Sequence, residues 1–262
     1  MSSPRVYLLD VEGTTSPVSL VSEQLFPYAR KHLAAYLREH WSEPETQADL
    51  ALLAEENRAE KDEKQILRFS TPRTKDLSVG TPFAQDDKSL GGDDKSLGLD
   101  AALSYLLWLM DRDRKSTALK SLQGRIWKSG YEAGELVGTV FPDVAEVFAR
   151  WSKTAKVAIY SSGSVEAQKL IFRHSSAGDL TPFITSYFDT RTGVKTSADS
   201  YRAIAAAMGV ATSEILFVSD LLRELDPARE AGCITRLSVR DGNQPVPDSC
   251  GHIAVSSLAE IS

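Results

Sequence analysis

Only two cysteines occur in 262 residues, Cys233 and Cys250. They are too few for a disulfide framework and have no zinc-ligand spacing, so a reducing compartment is expected. Long apolar runs are missing as well. A membrane-crossing helix needs about 20 consecutive apolar residues, and no stretch comes near that length. The apolar start Val6–Leu9 is short, lacks a basic run ahead of it and leads straight into Asp10, so no secretory leader is expected. Basic excess is absent too: 30 Lys and Arg face 36 Asp and Glu, a net charge of −6. Nucleic-acid binding usually needs a basic face, so neither nucleic acid nor membrane is an expected partner. A small anionic substrate stays open, because a bound metal ion or one lysine can dominate a pocket. The expected location is the cytoplasm, and at 28.7 kDa the nucleus is also within reach without a signal.

What is present is an alternation. Val6–Val11, Lys156–Ser161, Thr185–Asp189 and Glu214–Ser219 read as short buried strands, with weaker ones at Thr235–Val239 and Ile253–Ser256. Helical spacing falls between them, at Val144–Ser152, Val165–His174, Ala198–Met208 and Arg223–Ala231. Such alternation predicts an α/β fold, a parallel sheet covered by helices. The stretch after the first strand differs. Gln24–His40, Glu43–Phe69, Ala101–Asp111 and Ser116–Trp127 have helical spacing and little β-branched content. Residues 1–20 plus 133–262 therefore form the expected α/β core, and 21–132 an inserted all-helical cap. Inside the cap a heptad is repeated, Asp86–Gly92 and Asp93–Leu99. Two copies are too few for a solenoid, and the glycine and charge there predict a flexible loop at 71–98.

Four segments carry the chemistry. Val6–Leu9 delivers Asp10 to the carboxyl end of a strand, where ligands bind in open α/β sheets, and Glu12-Gly13 follows. A strand-end acid alone is more often a cap than a catalyst. Val157–Tyr160 ends in Ser161-Ser162-Gly163-Ser164, which offers hydroxyls and a helix N-terminus to an anion; a plain helix cap explains it equally. Lys195 lies in a short loop after the third strand, where a solvated lysine is the ordinary outcome. Ile215–Ser219 ends in Asp220, with Glu224 and Asp226 just beyond. Two acids delivered to one sheet edge suggest a hard cation with oxygen ligands, most simply Mg²⁺.

Acid, hydroxyl, lysine and acid in that order, each after its own strand, resembles the four motifs of the haloacid dehalogenase superfamily. The cap inserted soon after the first motif fits the same pattern. A narrower resemblance is to the acireductone synthases, the enolase-phosphatases of methionine salvage. It is carried by Leu9-Asp10-Val11-Glu12-Gly13-Thr14-Thr15, Leu25-Phe26-Pro27-Tyr28 and Asp113–Gly124. Ile159–Leu170 and Tyr187-Phe188-Asp189-Thr190 add to it, and Glu12 in place of the superfamily's usual aspartate is typical of that family.

The resemblance implies a haloacid dehalogenase-like Rossmannoid core with a helical cap. It implies conversion of 2,3-diketo-5-methylthiopentyl-1-phosphate, a small phosphorylated diketone, to acireductone and phosphate by enolisation and then dephosphorylation. It further implies one Mg²⁺ per chain held by Asp10, Glu12 and Asp220, with residue 12 entering through its backbone carbonyl. Asp10 would be the nucleophile, Glu12 an acid or base, and Ser161, Ser162 and Lys195 the phosphate contacts. A monomer is expected. Rival readings are a phosphatase for another metabolite, a metal-free dehalogenase, and a non-catalytic phosphoacceptor or binding module. His32, His40, His174 and His252 lack ligand spacing, and Trp108 and Trp127 sit in helical patterns that suit cap core.

Overall fold

The computed structural model describes residues 3–59, 94–247 and 250–261. The chain divides into two compact units, Met1–Leu25 with Gly130–Ser262, and Phe26–Ser129.

The first unit is built on a sheet of six parallel strands. They are β1 (Val6–Leu9), β2 (Lys156–Tyr160), β3 (Ile184–Phe188), β4 (Ile215–Ser219), β5 (Ile234–Ser238) and β6 (Ile253–Val255). Their spatial order is β3-β2-β1-β4-β5-β6, which puts β1 inside the sheet. Every residue of β1 and β4 is buried, as expected of strands covered on both faces. Leu9 is in register with Ile159 on one side and Val218 on the other. The residues that follow, Asp10, Ser161 and Asp220, therefore emerge at one edge of three neighbouring strands.

Helices α5 (Val144–Trp151), α6 (Val165–Arg173), α7 (Ala198–Met208) and α8 (Leu222–Glu230) connect the strands. In α5 the buried residues Val144, Val147, Phe148 and Trp151 recur at helical spacing. Trp151 stacks on Tyr7 of β1 at 3.9 Å. Phe217 and Leu8, both fully buried, sit in one cluster with Tyr160 and Tyr201; truncating such a side chain to alanine costs about 2–5 kcal/mol. Asp143, just before α5, binds the C-terminal segment. Its Oδ2 accepts from Arg240 Nη2 at 2.9 Å, Ser257 Oγ at 2.7 Å and Leu258 N at 2.6 Å.

The second unit is helical in its described residues: α1 (Phe26–His40), α2 (Pro44–Ala59), α3 (Asp94–Asp111) and most of α4 (Thr117–Glu132). It has a core of its own, in which Leu33, Leu37, Leu50, Leu106 and Leu122 are buried. Glu56 closes the start of α4, accepting from Ser116 Oγ at 2.5 Å and Thr117 N at 2.8 Å. Trp108 and Trp127 are partly buried against this core.

The loop expected at 71–98 needs one correction. Residues 71–93 lie outside those described, but α3 already begins at Asp94. The apolar run from Leu99 onward lets helix propagate backward, each added residue gaining one hydrogen bond. Buried Gly98 costs about 1 kcal/mol relative to alanine, too little to stop it. Ahead of α1 comes a π-helical turn, Leu20–Leu25, which no apolar periodicity announces.

Candidate active site

Asp10 is buried, 4% exposed. Its backbone N–H extends the β1–β4 pairing by donating to Val218 O at 3.0 Å. Its Oδ1 accepts from Val11 N at 2.7 Å and from Lys195 Nζ at 2.5 Å. Lys195 reaches this point from the loop after β3, and its Nζ also donates to Glu224 Oε2 at 2.9 Å. Ser219 Oγ donates to the same Glu224 oxygen at 2.9 Å. A lysine that could have been a solvated side chain is thus clamped between two acids that follow different strands.

Burial opposes the charge on Lys195, but Asp10 and Glu224 outweigh it and raise its pKa above the ordinary lysine value. The ammonium is fully charged at neutral pH. The acids are crowded in turn. Burial, then the charges of Asp10, Asp220 and Glu224, push Glu12 up to about 7 despite Lys195. Burial, Asp10 and Glu224 push Asp220 up to about 6, and burial and Asp10 raise Glu224 as well.

Gly13 explains how Asp220 meets this group. Its φ is +68°, and a Cβ there would lie 2.6 Å from Asp220 Oδ2 and 2.8 Å from Asn243 Oδ1. Only glycine permits both the turn and the approach. Two side chains, one ending β5 and one just beyond it, hold the turn from the other side. Ser238 Oγ donates to Gly13 O at 2.8 Å and Asn243 Nδ2 to the same oxygen at 2.9 Å.

Ser161 is buried at the end of β2, with its N–H on Phe188 O at 3.1 Å and its Oγ accepting from Gly163 N at 3.1 Å. Ser162 is exposed. Ser164 caps α6 by accepting from Ala167 N at 3.2 Å, so the ordinary explanation holds for that hydroxyl. Gln168 ties the loop down, its Nε2 donating to Gly163 O at 2.8 Å and Phe188 O at 2.9 Å. The histidines have partners elsewhere: His32 stacks on Tyr28, His40 bonds Glu43, His174 stacks on Tyr131, and His252 bonds Thr235.

The structure therefore brings Asp10, Glu12, Lys195 and Asp220 together and sets Ser161 on the neighbouring strand end. Sequence reasoning noted Glu224 beside Asp220 but gave it no role. The usable signal was its spacing, one helical turn past a strand-end acid. Asn243, Ser238 and Gln168 carry no such signal.

The donor chemistry suits a hard divalent cation. Four crowded carboxylates, Asp10, Glu12, Asp220 and Glu224, share the charge of Lys195, and burial, together with their mutual repulsion, raises the pKa of three of them. Among the described residues no three acid, cysteine or histidine side chains form a ready ligand group. A set of two carboxylates and a backbone carbonyl meets the oxygen preference of Mg²⁺ without one.

Comparison with known proteins decides the family. Residues 4–232 match the family described as haloacid dehalogenase-like hydrolase. The enolase-phosphatase E1 of Synechococcus elongatus is 47% identical over 240 residues, covering 91% of this chain and 90% of that one. The chain belongs to the enolase-phosphatase E1 family of haloacid dehalogenase-like hydrolases. The enolase-phosphatase E1 of Branchiostoma floridae is 40% identical over 98% of this chain and 83% of its own length. Among solved structures, the UTR4 protein of Saccharomyces cerevisiae matches with a TM-score of 0.72 and 31% identity, covering 98% of this chain and 99% of that one. The enolase-phosphatase likeness thus runs through both units, the helical one included.

Proposed function

We propose that Asp10 of this enolase-phosphatase attacks phosphorus, with Lys195 holding the transferring phosphoryl group and Glu12 moving the protons. The enzyme converts 2,3-diketo-5-methylthiopentyl-1-phosphate to acireductone and phosphate in L-methionine salvage from methylthioadenosine. The observation that carries the residue assignment is the Lys195 ammonium at 2.5 Å from Asp10 Oδ1, with Glu12 and Asp220 crowded against the same carboxylate.

Phosphoryl transfer needs an in-line nucleophile and compensation for the charge on the equatorial oxygens. An oxygen of Asp10 forms the new bond to phosphorus while the bond from phosphorus to the C1 oxygen breaks, leaving an aspartyl phosphate. Water then hydrolyses it and releases phosphate. Lys195 and Ser161, with Ser162 as a further donor, hold the phosphoryl oxygens. Asp10, Asp220 and the backbone carbonyl of Glu12 are the groups to hold Mg²⁺, one per chain. When bound, that ion offsets the repulsion between carboxylate and phosphate.

Enolisation comes first. Glu12 takes the C1 proton, and Lys195 stabilises the negative charge that develops on the C2 oxygen. A side chain poised near 7 suits this task, because general catalysis is most effective when pKa and working pH agree. The same Glu12 then returns a proton to the leaving oxygen. The same reading makes the protein a cytoplasmic monomer, with the nucleus accessible and with neither nucleic acid nor membrane as partner. No helix of the described residues is long and apolar enough to cross a membrane.

Glu12→Gln separates the two steps. Exchange of the substrate's C1 proton in deuterated water is expected to fall about a hundred- to ten-thousandfold, the usual contribution of a positioned base. Unchanged exchange with phosphate release blocked removes Glu12 from enolisation.

A further inference from the structure

Lys195 is the terminus of a long flexible stem, and where its ammonium sits depends on where its main chain is held. That main chain lies outside any strand or helix. In such a segment each buried carbonyl needs a partner from elsewhere. Three successive carbonyls each accept from a side-chain hydroxyl, and Val194 O accepts from Ser197 N–H at 3.1 Å as well. Tyr160 Oη donates to Gly193 O at 2.9 Å, Ser200 Oγ to Val194 O at 2.8 Å, and Tyr201 Oη to Lys195 O at 2.8 Å.

The donors are themselves fixed. Tyr160 ends β2, while Ser200 and Tyr201 lie in the first turn of α7. Both tyrosines are fully buried. Their rings meet edge to face at 5.8 Å, and Tyr201 also packs on Phe217 at 5.1 Å. Burial raises the pKa of each phenol, so both remain donors throughout the physiological range. At Gly193, whose φ is +142°, a Cβ would collide with Ser200 Oγ. The glycine is what lets the second hydroxyl in.

Tyr201 does more than the other two. Its hydroxyl also lies 2.9 Å from Glu224 O, the main-chain oxygen of the residue whose carboxylate grips the other side of the ammonium. One phenol thus spans the main chains of Lys195 and Glu224, and so fixes the distance between the lysine's loop and helix α8. We propose that Tyr201 is a positioning residue for Lys195, with Tyr160 and Ser200 completing a row of hydroxyls that aligns the ammonium with Asp10. This rests on reading Lys195 as the group that holds the phosphoryl oxygens. A displacement of about 1 Å at a reacting centre can cost a hundredfold in rate, and loss of one hydroxyl frees the loop for movement on that scale.

The test uses the full-length Mg²⁺-loaded enzyme. Tyr201→Phe, Tyr160→Phe and Ser200→Ala remove the hydroxyls while keeping the packing. Tyr187→Phe is the control, because that buried hydroxyl has no hydrogen-bond partner among the described residues. Folded fraction is read by circular dichroism at the assay temperature, kcat and KM by phosphate release, and product-site affinity by inhibition with inorganic phosphate. Tyr201→Phe is expected to lower kcat/KM about ten- to a hundredfold and to weaken phosphate inhibition, with the protein still folded. Tyr187→Phe is expected to change neither. Activity lost only in proportion to folded protein overturns the proposal.

A second arm repeats Tyr201→Phe in a Lys195→Met background. A positioning effect disappears when the amine is gone, whereas an independent structural effect multiplies through unchanged. An undiminished effect in that background overturns the proposal. Full phosphate release by Lys195→Met alone overturns instead the role given to Lys195, and the two failures are distinguishable.

Discussion

Gly13→Ala tests the site through a single methyl group. Two costs follow from its geometry, and they can be separated. The first is backbone strain: φ is +68°, and an L-residue with a side chain pays about 1–2 kcal/mol in the left-handed region. In a protein of this size that corresponds to a fall in Tm of about 2–8 °C. The second is collision. The new methyl would lie 2.6 Å from Asp220 Oδ2 and 2.8 Å from Asn243 Oδ1, so the carboxylate must retreat by roughly 0.8 Å or more to reach ordinary van der Waals contact. A shift approaching 1 Å at such a group costs about a hundredfold in kcat/KM. Gly209→Ala supplies the comparison. Gly209 ends α7 at φ +69°, and a Cβ added there would meet nothing within 4 Å, so it bears the strain without the collision. Both variants should lose Tm in a thermal melt, Gly13→Ala the more because the collision adds to the strain. Only Gly13→Ala should lose phosphatase activity and need more Mg²⁺ for half-maximal rate. Equal activity in the two variants would refute the placement of Asp220 against the Gly13 turn as a functional contact.

Asp143→Asn removes the charge that Arg240, Ser257 and Leu258 share, and should cost about 1.5–3 kcal/mol at pH 7, the usual worth of a hydrogen bond to a charged group. Burial raises the Asp143 pKa, but those three partners outweigh it and hold it below the ordinary aspartate value. Its contribution is therefore complete above the unfolded value near about 3.9 and disappears as pH falls through the folded value. The gap between urea melts of the two proteins should begin to narrow as pH falls below about 4 and close only below the lowered Asp143 value, and a gap that does not narrow at all as pH falls would contradict the assignment. Chelation of divalent metal should stop phosphate release and Mg²⁺ should restore it. Phosphate release that survives chelation would refute the Mg²⁺ site assigned to Asp10, Asp220 and the Glu12 carbonyl.

The parts of the fold that could be read from sequence were those where local pattern and burial agree. Val6–Leu9 and Ile215–Ser219 are apolar runs because both faces of their strands are covered, and they mark their own ends with Asp10 and Asp220. Helix α7 falls where its spacing places it, at Ala198–Met208. The start of α3 at Asp94 was hidden by a glycine-rich repeat whose local preference the apolar run beyond Leu99 overrides. The π-helical turn at Leu20–Leu25 has no period that a helix or strand template detects. At the site, Asp10 and Lys195 stood out because each follows a strand. Asn243 and Tyr160 did not, because what they do depends on residues 33 to 230 positions away in the chain, and no local pattern encodes such a pairing.

The position of β1 inside the sheet has a consequence for how the chain reaches its native state. Val6 pairs with Lys156 and also with Ile215, so the strand bearing Asp10 finds neither neighbour until most of the chain has been made. Closing so long a segment costs chain entropy, although each doubling of length adds only about 0.6 kcal/mol. The intervening helices have their own buried core and rely on contacts much nearer in sequence. Local contacts form fastest, so the inserted unit is expected to collapse first and shorten the gap that β1 must bridge. The catalytic edge of the sheet would then be among the last parts to assemble, and an unfinished chain would hold a folded cap before it held a nucleophile.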